Sequence, residues 1–219
     1  MPEFQSLLSG YRRFRAGAYV EQRQRYDALA NKGQKPRIMV IACSDSRVDP
    51  ASIFDTGPGE LFVVRNVANL VPPYETDRGY HGASAAIEFA VTQIEVSKLI
   101  VLGHEMCGGI TASLTGKFDG ASLGEGGFIS HWMEMIEPAR AEAVAAAAAH
   151  PDVDAQEVLE LAAIRLSLKH LESFPFVAAR VAAGTLTLHG AHFGIATGTL
   201  RILDPETGRF IVVQSDLPA

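Results

Sequence analysis

The sequence predicts an α/β domain, with a mainly parallel central sheet flanked by helices. Three observations lead there. Short apolar runs recur at Arg37–Ala42, Leu61–Val64 and Leu99–Leu102. A longer segment with helical periodicity, Gly82–Val96, lies between the second and third runs. Apolar runs that do not alternate with polar residues suit strands covered on both faces, as helical crossovers require. With 219 residues and 47% hydrophobic content, the chain can bury a core of that kind as one domain, residues 1–219.

The elements follow in order. Residues 3–31 are polar with recurring apolar positions (Phe4, Leu7, Leu8, Tyr11, Phe14, Tyr19, Tyr26, Leu29), which predicts an amphipathic helical arm over 1–33 ending near Gly33. In Gly82–Val96 the apolar positions Ala83, Ala86, Ile87, Ala90, Val91 and Ile94 share one broad face. Residues 125–150 read as helix, Ala-rich from Ala141 to Ala149, broken by His150-Pro151-Asp152. Asp154 is placed to cap a further helix running to about Ser173. Thr185–His189 reads as a strand. Leu200–Leu203 and Phe210–Val213 flank the turn Asp204-Pro205-Glu206-Thr207-Gly208 as a hairpin-like ending.

Charge and hydropathy exclude some functions. The net charge is −6 and no long Lys/Arg run occurs, which argues against nucleic-acid binding. No apolar run reaches the ~18 residues of a membrane span. The first residues lack a basic stretch followed by an apolar one, so the cytoplasm is the expected compartment. His131, His150 and His170 read as surface histidines.

The chemistry concentrates just past two predicted strands. Cys43-Ser44-Asp45-Ser46-Arg47 follows the first, and His104-Glu105-Met106-Cys107-Gly108-Gly109 follows the third. Imidazole and thiolate are both zinc ligands, and sites in open parallel sheets lie beyond the carboxyl ends of the strands. Cys43, His104 and Cys107 would give zinc three protein ligands and leave an open fourth position, the catalytic arrangement. The same residues allow a structural zinc, with His81, His189, His192 or Asp45 as fourth ligand. They also allow two buried thiols or one disulfide. There is no Cys-x-x-Cys pair and no P-loop ending after Gly103.

Several strings in order resemble the β-class carbonic anhydrases: Ala42-Cys43-Ser44-Asp45-Ser46-Arg47-Val48, Pro58-Gly59-Glu60, Val64-Arg65-Asn66-Val67-Ala68-Asn69, Ser84–Val91, and Gly103-His104 with Cys107-Gly108-Gly109. The resemblance runs from about Gln34 to the last strands. It implies reversible hydration of carbon dioxide to bicarbonate by attack of a zinc-bound hydroxide. Two thiolates donate more charge to zinc than imidazoles do, so the best activity is expected on the alkaline side. The resemblance implies Zn2+ held by Cys43, His104 and Cys107, an Asp45–Arg47 pair, Gln34 as amide donor, and an apolar substrate wall of Phe62, Val67 and Phe89. It also implies a homodimer or homotetramer, with the N-terminal helices packing on a partner subunit and the neighbouring chain completing the site.

Three departures stand out. Phe89 occupies a position where many relatives have Tyr, and Glu105 one where they commonly have a small residue. Arg65 matches one residue of a non-catalytic bicarbonate site, but Val40 and Phe193 replace the Trp and Tyr that accompany it, so that inhibitory site is expected to be absent. Tyr80 and His81 are candidates for a proton path. Hydrolysis of carbon disulfide or carbonyl sulfide is the alternative chemistry within the same fold, and a binding module with structural zinc is the alternative class.

Overall fold

The computed structural model describes residues 2–150 and 152–214. Its centre is a six-stranded sheet: β1 (Ile38–Cys43), β2 (Leu61–Asn66), β3 (Lys98–His104), β4 (Thr187–Phe193), β5 (Leu200–Leu203) and β6 (Phe210–Val212). The spatial order is β2-β1-β3-β4-β5-β6. The first four strands are parallel, and β5 and β6 add antiparallel at one edge. The predicted strand cores hold: β5 matches Leu200–Leu203, β6 is one residue shorter than predicted, and the other four are shifted or lengthened at their ends. β3 runs on through Gly103 to His104, and β4 begins later than predicted and continues to Phe193.

β1 shows why the interior strands are apolar throughout. Met39, Val40, Ile41 and Ala42 are all fully buried. Met39 and Ile41 join one core cluster with Ile87, Val91, Leu99 and Val101, while Val40 and Ala42 meet Leu102 and Ala191 on the other face. Burying one such aliphatic side chain stabilises the fold by about 1.5–3 kcal/mol.

Helices cover both faces. The arm comprises α1 (Pro2–Ala16), α2 (Ala18–Glu21) and α3 (Arg23–Lys32). Gly33 ends it at φ 77°, a backbone that favours glycine. None of the three arm helices buries a residue. A short α4 (Pro50–Ile53) is capped by Asp49, whose side chain accepts from Ser52 N. The helix predicted from Gly82 forms as α5 (Gly82–Glu88), but residues Phe89–Ile94 widen into a π-helical turn that stops at Glu95 with φ 62°.

α6 (Gly108–Leu114) starts directly after Cys107. The single helix predicted over 125–150 is instead α7 (Gly127–Met133), a 3-10 turn (Glu134–Ile136) and α8 (Glu137–Ala149). Pro138 in the first turn of α8 explains the break, because proline suits a helix start and not its interior. Asp154 caps α9 (Ala155–Glu172) as predicted, accepting from Gln156 N; Pro151, part of the predicted break before it, lies outside the described residues. α10 (Pro175–Ala182) was not predicted. Among the described residues no helix is long and apolar enough to cross a membrane.

Candidate metal centre

Cys43 is the last residue of β1 and His104 the last of β3, and these strands are hydrogen-bonded neighbours. Cys107 lies on the loop between β3 and α6. The two sulfurs are 3.9 Å apart, and they and a ring nitrogen of His104 all lie within 4.8 Å of one another. All three residues are buried, and both cysteines are free thiols rather than a disulfide.

The backbone is shaped for this approach. A Cβ on Gly103 would come within 2.7 Å of Ile164 Cδ1, so β3 passes α9 here only without a side chain. A Cβ on Gly109 would meet Val67 Cγ1 at 2.8 Å, which lets α6 start against the Val67–Asn69 turn. Ala68, Asn69 and Met106 take positive φ values of 61°, 50° and 56°. Strain of this kind gathers at functional sites and needs neighbours to hold it. The Asn66 side chain supplies part of that hold, bonding both N–H and C=O of Leu70. Trp132, which sequence reasoning passed over, donates to Val67 O at 2.9 Å.

The donor atoms fit a soft or borderline cation. His104 Nδ1 faces Glu105 O at 2.8 Å; a carbonyl only accepts, so Nδ1 carries the proton and Nε2 keeps its lone pair. Nε2 is buried without a hydrogen-bond partner. Burial works to lower the His104 pKa, but the Cys43 sulfur, Glu105 O and Asp45 outweigh it and leave it raised. Cys43 is pulled well below the usual thiol value, chiefly by the hydrogen bond from Cys107. Cys107 is pushed up, because its proton serves Cys43 and burial opposes a second thiolate. Two sulfurs and an imidazole nitrogen in such a negative, dry place are the donor set zinc accepts.

Asp45 stands beside the trio, with Oδ2 4.0 Å from His104 Nε2. It is gripped by Arg47: Nε donates to Oδ1 at 2.9 Å, Nη2 to Oδ2 at 2.7 Å, and the Arg47 backbone N–H to Oδ1 at 2.9 Å. Arg47 Nη2 also reaches Met106 O at 2.9 Å, tying this pair to the Cys107 loop. The Arg47 side chain is the main reason the Asp45 carboxyl is held well below the usual range. Arg65 reaches the carbonyls of Cys43 and Asp45 at 2.8 and 2.5 Å and pairs with the Asp49 carboxylate at 3.4 Å.

The other histidines considered as fourth ligand are engaged elsewhere. His81 pairs with Asp77, His189 Nε2 contacts Thr187, and His192 Nε2 contacts Glu160. His170 departs from its surface reading: it is half-buried, with Nδ1 2.7 Å from Val71 O. Tyr80 is fully exposed, and His81 forms a separate group with Glu75 and Asp77.

The remaining predicted site residues divide between the two ends of the sheet. Val67 is at the metal end, against Gly109. Phe62 is opposite Met39 in the register, four residues before the Cys43–Asn66 pair, about 13 Å back along the strands. Phe89 stacks near it, with ring centroids 6.0 Å apart, and Gln34 is exposed just before β1. Gln34, Phe62 and Phe89 therefore lie at the end of the sheet away from the metal donors of their own chain.

Fold and site together define an α/β protein with a Cys–His–Cys metal-donor group at the carboxyl ends of parallel strands. A family model described as carbonic anhydrase matches residues 38–200. The chain is 35% identical over 193 residues to beta carbonic anhydrase 3 of Arabidopsis thaliana, covering 88% of this chain and 74% of that one. Among solved structures, the β-carbonic anhydrase CcaA aligns with a TM-score of 0.88 at 32% identity, over 99% of this chain and 95% of that one. A structure reported with two tetrameric β-carbonic anhydrases from the filamentous ascomycete Sordaria macrospora aligns with a TM-score of 0.79 at 26% identity, covering 93% and 98%. The chain belongs to the β-class carbonic anhydrase family.

Proposed function

We propose that the chain hydrates carbon dioxide reversibly at a zinc ion held by Cys43, His104 and Cys107. The observation that carries this reading is the buried, unpartnered Nε2 of His104, grouped with two thiol sulfurs at the ends of neighbouring strands. Zinc at such a site makes a water molecule acidic enough to act as a nucleophile near neutral pH. Two thiolates neutralise more of the ion's charge than imidazoles do, so the best activity falls on the alkaline side.

Asp45 accepts a hydrogen bond from the attacking water and orients it. Arg47 keeps that carboxylate aimed by its two-toothed grip and keeps it from becoming a ligand. Val67 gives carbon dioxide a dry wall on the metal side. Gln34, Phe62 and Phe89 serve the same reaction from a second copy of the chain, Gln34 donating to the oxygen that gains charge. Support for that assembly comes from the arm, whose Phe4, Leu7, Tyr11 and Val20 are more than half exposed in the single chain. The working unit is a homodimer or homotetramer in which the arm packs on the partner.

The test is zinc content together with carbon dioxide hydration by stopped flow across pH. One zinc per chain and a rate rising toward alkaline pH are expected. A zinc-free protein, or a zinc protein with no hydration activity, would contradict the proposal.

A further inference from the structure

Of the three metal donors, two are fixed by strands and one is not. Cys43 ends β1 and His104 ends β3, but Cys107 sits on a short loop directly after Met106, whose φ is 56°. Something outside the sheet must hold it. The Cys107 N–H donates to Glu160 Oε1 at 3.0 Å, from α9. Gln156 Nε2 reaches the same oxygen at 2.7 Å and the Cys107 carbonyl at 3.1 Å, so α9 grips both peptide groups of the ligand residue.

Behind Glu160 the contacts continue. Glu160 Oε2 is 3.0 Å from His192 Nε2, and His192 Nδ1 is 3.0 Å from Arg201 Nη2. A guanidinium only donates, so Nδ1 accepts and the imidazole proton sits on Nε2, pointing at Glu160. Arg201 pairs with Glu157 through its other terminal nitrogen. Each hydrogen bond thus has a fixed direction, and all converge on Glu160: Arg201, which lines a cavity of about 280 Å³, donates to His192, His192 donates to Glu160, and the Cys107 N–H donates to Glu160 from the other side.

Glu160 and His192 are 4% and 1% exposed. Burying such groups is costly, and apolar side chains of similar volume would serve stability at least as well. We propose that Glu160 is a positioning residue for Cys107, and that His192 and Arg201 complete a relay that locks it from the surface inward. The proposal rests on reading Cys43, His104 and Cys107 as the zinc ligands. The relay acts on how firmly the ion is held and touches neither substrate nor the reacting atoms.

The test uses the full-length zinc protein and two readouts besides activity: the rate of zinc loss to a chromophoric chelator, and the thiolate charge-transfer band of the cobalt-substituted protein. In Glu160→Gln the amide NH2 would face the His192 N–H, donor against donor, and the relay breaks. Zinc loss about tenfold or more faster is expected, with a displaced cobalt band. Arg201→Met, at the half-buried outer end, frees the His192 tautomer and should give a smaller acceleration of the same sign. Leu171→Ala is the control, a truncation on the same helix in the core cluster that holds Met39 and Ile41. It should lower the melting temperature without changing either readout. Glu160→Gln and Arg201→Met proteins that lose zinc at the wild-type rate with an unmoved cobalt band would overturn the proposal. So would an equal effect from Leu171→Ala. Wild-type protein that binds no zinc would instead remove the metal reading, and the relay's role with it.

Discussion

The two ends of the parallel strands are built differently. At the carboxyl ends of β1 and β3, a single chain brings Cys43, His104 and Cys107 together in a buried cluster, with Asp45 and Arg47 already paired beside it. At the opposite end, Gln34 is exposed, Phe89 is 48% exposed, and neither touches a metal donor. Metal chemistry needs donors held within a few tenths of an ångström, and here the strand pair β1–β3 holds two of them and α9 the loop that carries the third. A substrate wall only has to exclude water and offer a donor, and a second copy of the chain can bring it. The contrast explains why the same site looks complete for binding an ion and incomplete for binding carbon dioxide.

The strongest way to break this division is at the metal end. Cys107→Ala should remove zinc and lower hydration activity by about a thousandfold or more, while leaving the assembly size on gel filtration unchanged. A zinc-replete, active Cys107→Ala protein would erase the distinction. At the other end, Gln34→Ala should lower kcat by about a hundredfold with one zinc per chain retained. Loss of zinc in that variant would mean that the two ends are not separable.

A smaller effect concerns how the arm is held. Arg25 of α3 pairs with Glu60 at 2.8 Å and donates to Pro58 O at 2.6 Å. Glu60 is held below its ordinary value, first by Arg25 and then by the Gly57 N–H. Its folded-state pKa is thus below the unfolded value of about 4.3, so its contribution is complete above that pH and lost as pH falls through the lower, folded value. The protection of residues 23–32 against hydrogen exchange, taken relative to the intrinsic rate at each pH, should fall below about pH 4 in the wild type. In Glu60→Gln it should show less of that pH dependence. An unchanged profile in the variant would remove this anchor from the arm.

Much of the fold was legible because β1, β2 and β3 are continuous apolar runs, and because Asp154 and Gly33 carry local signals for a helix start and stop. The π-helical turn at Phe89–Ile94 and the division of 125–150 depend on packing and on Pro138, not on periodicity. At the site, the cysteines, His104, Asp45 and Arg47 stood out as chemically capable residues just past predicted strands. Glu160 and Trp132 did not. Each lies on a helix far along the chain and hydrogen-bonds a distant backbone group, a contact that no local pattern announces. His192 was visible only as a possible ligand. His170 was read as surface, yet its ring nitrogen bonds a carbonyl 99 residues away.

The most direct measurement is complementation between the two ends. Cys107→Ala and Gln34→Ala proteins, each nearly inactive, are mixed, their subunits exchanged, and carbon dioxide hydration is followed. Hybrid dimers contain one site with an intact metal end from one chain and an intact Gln34 from the other. Recovery to about a quarter of the wild-type rate is the expected result for random pairing. A mixture no more active than its separate components, with subunit exchange verified, would contradict a site divided between two chains.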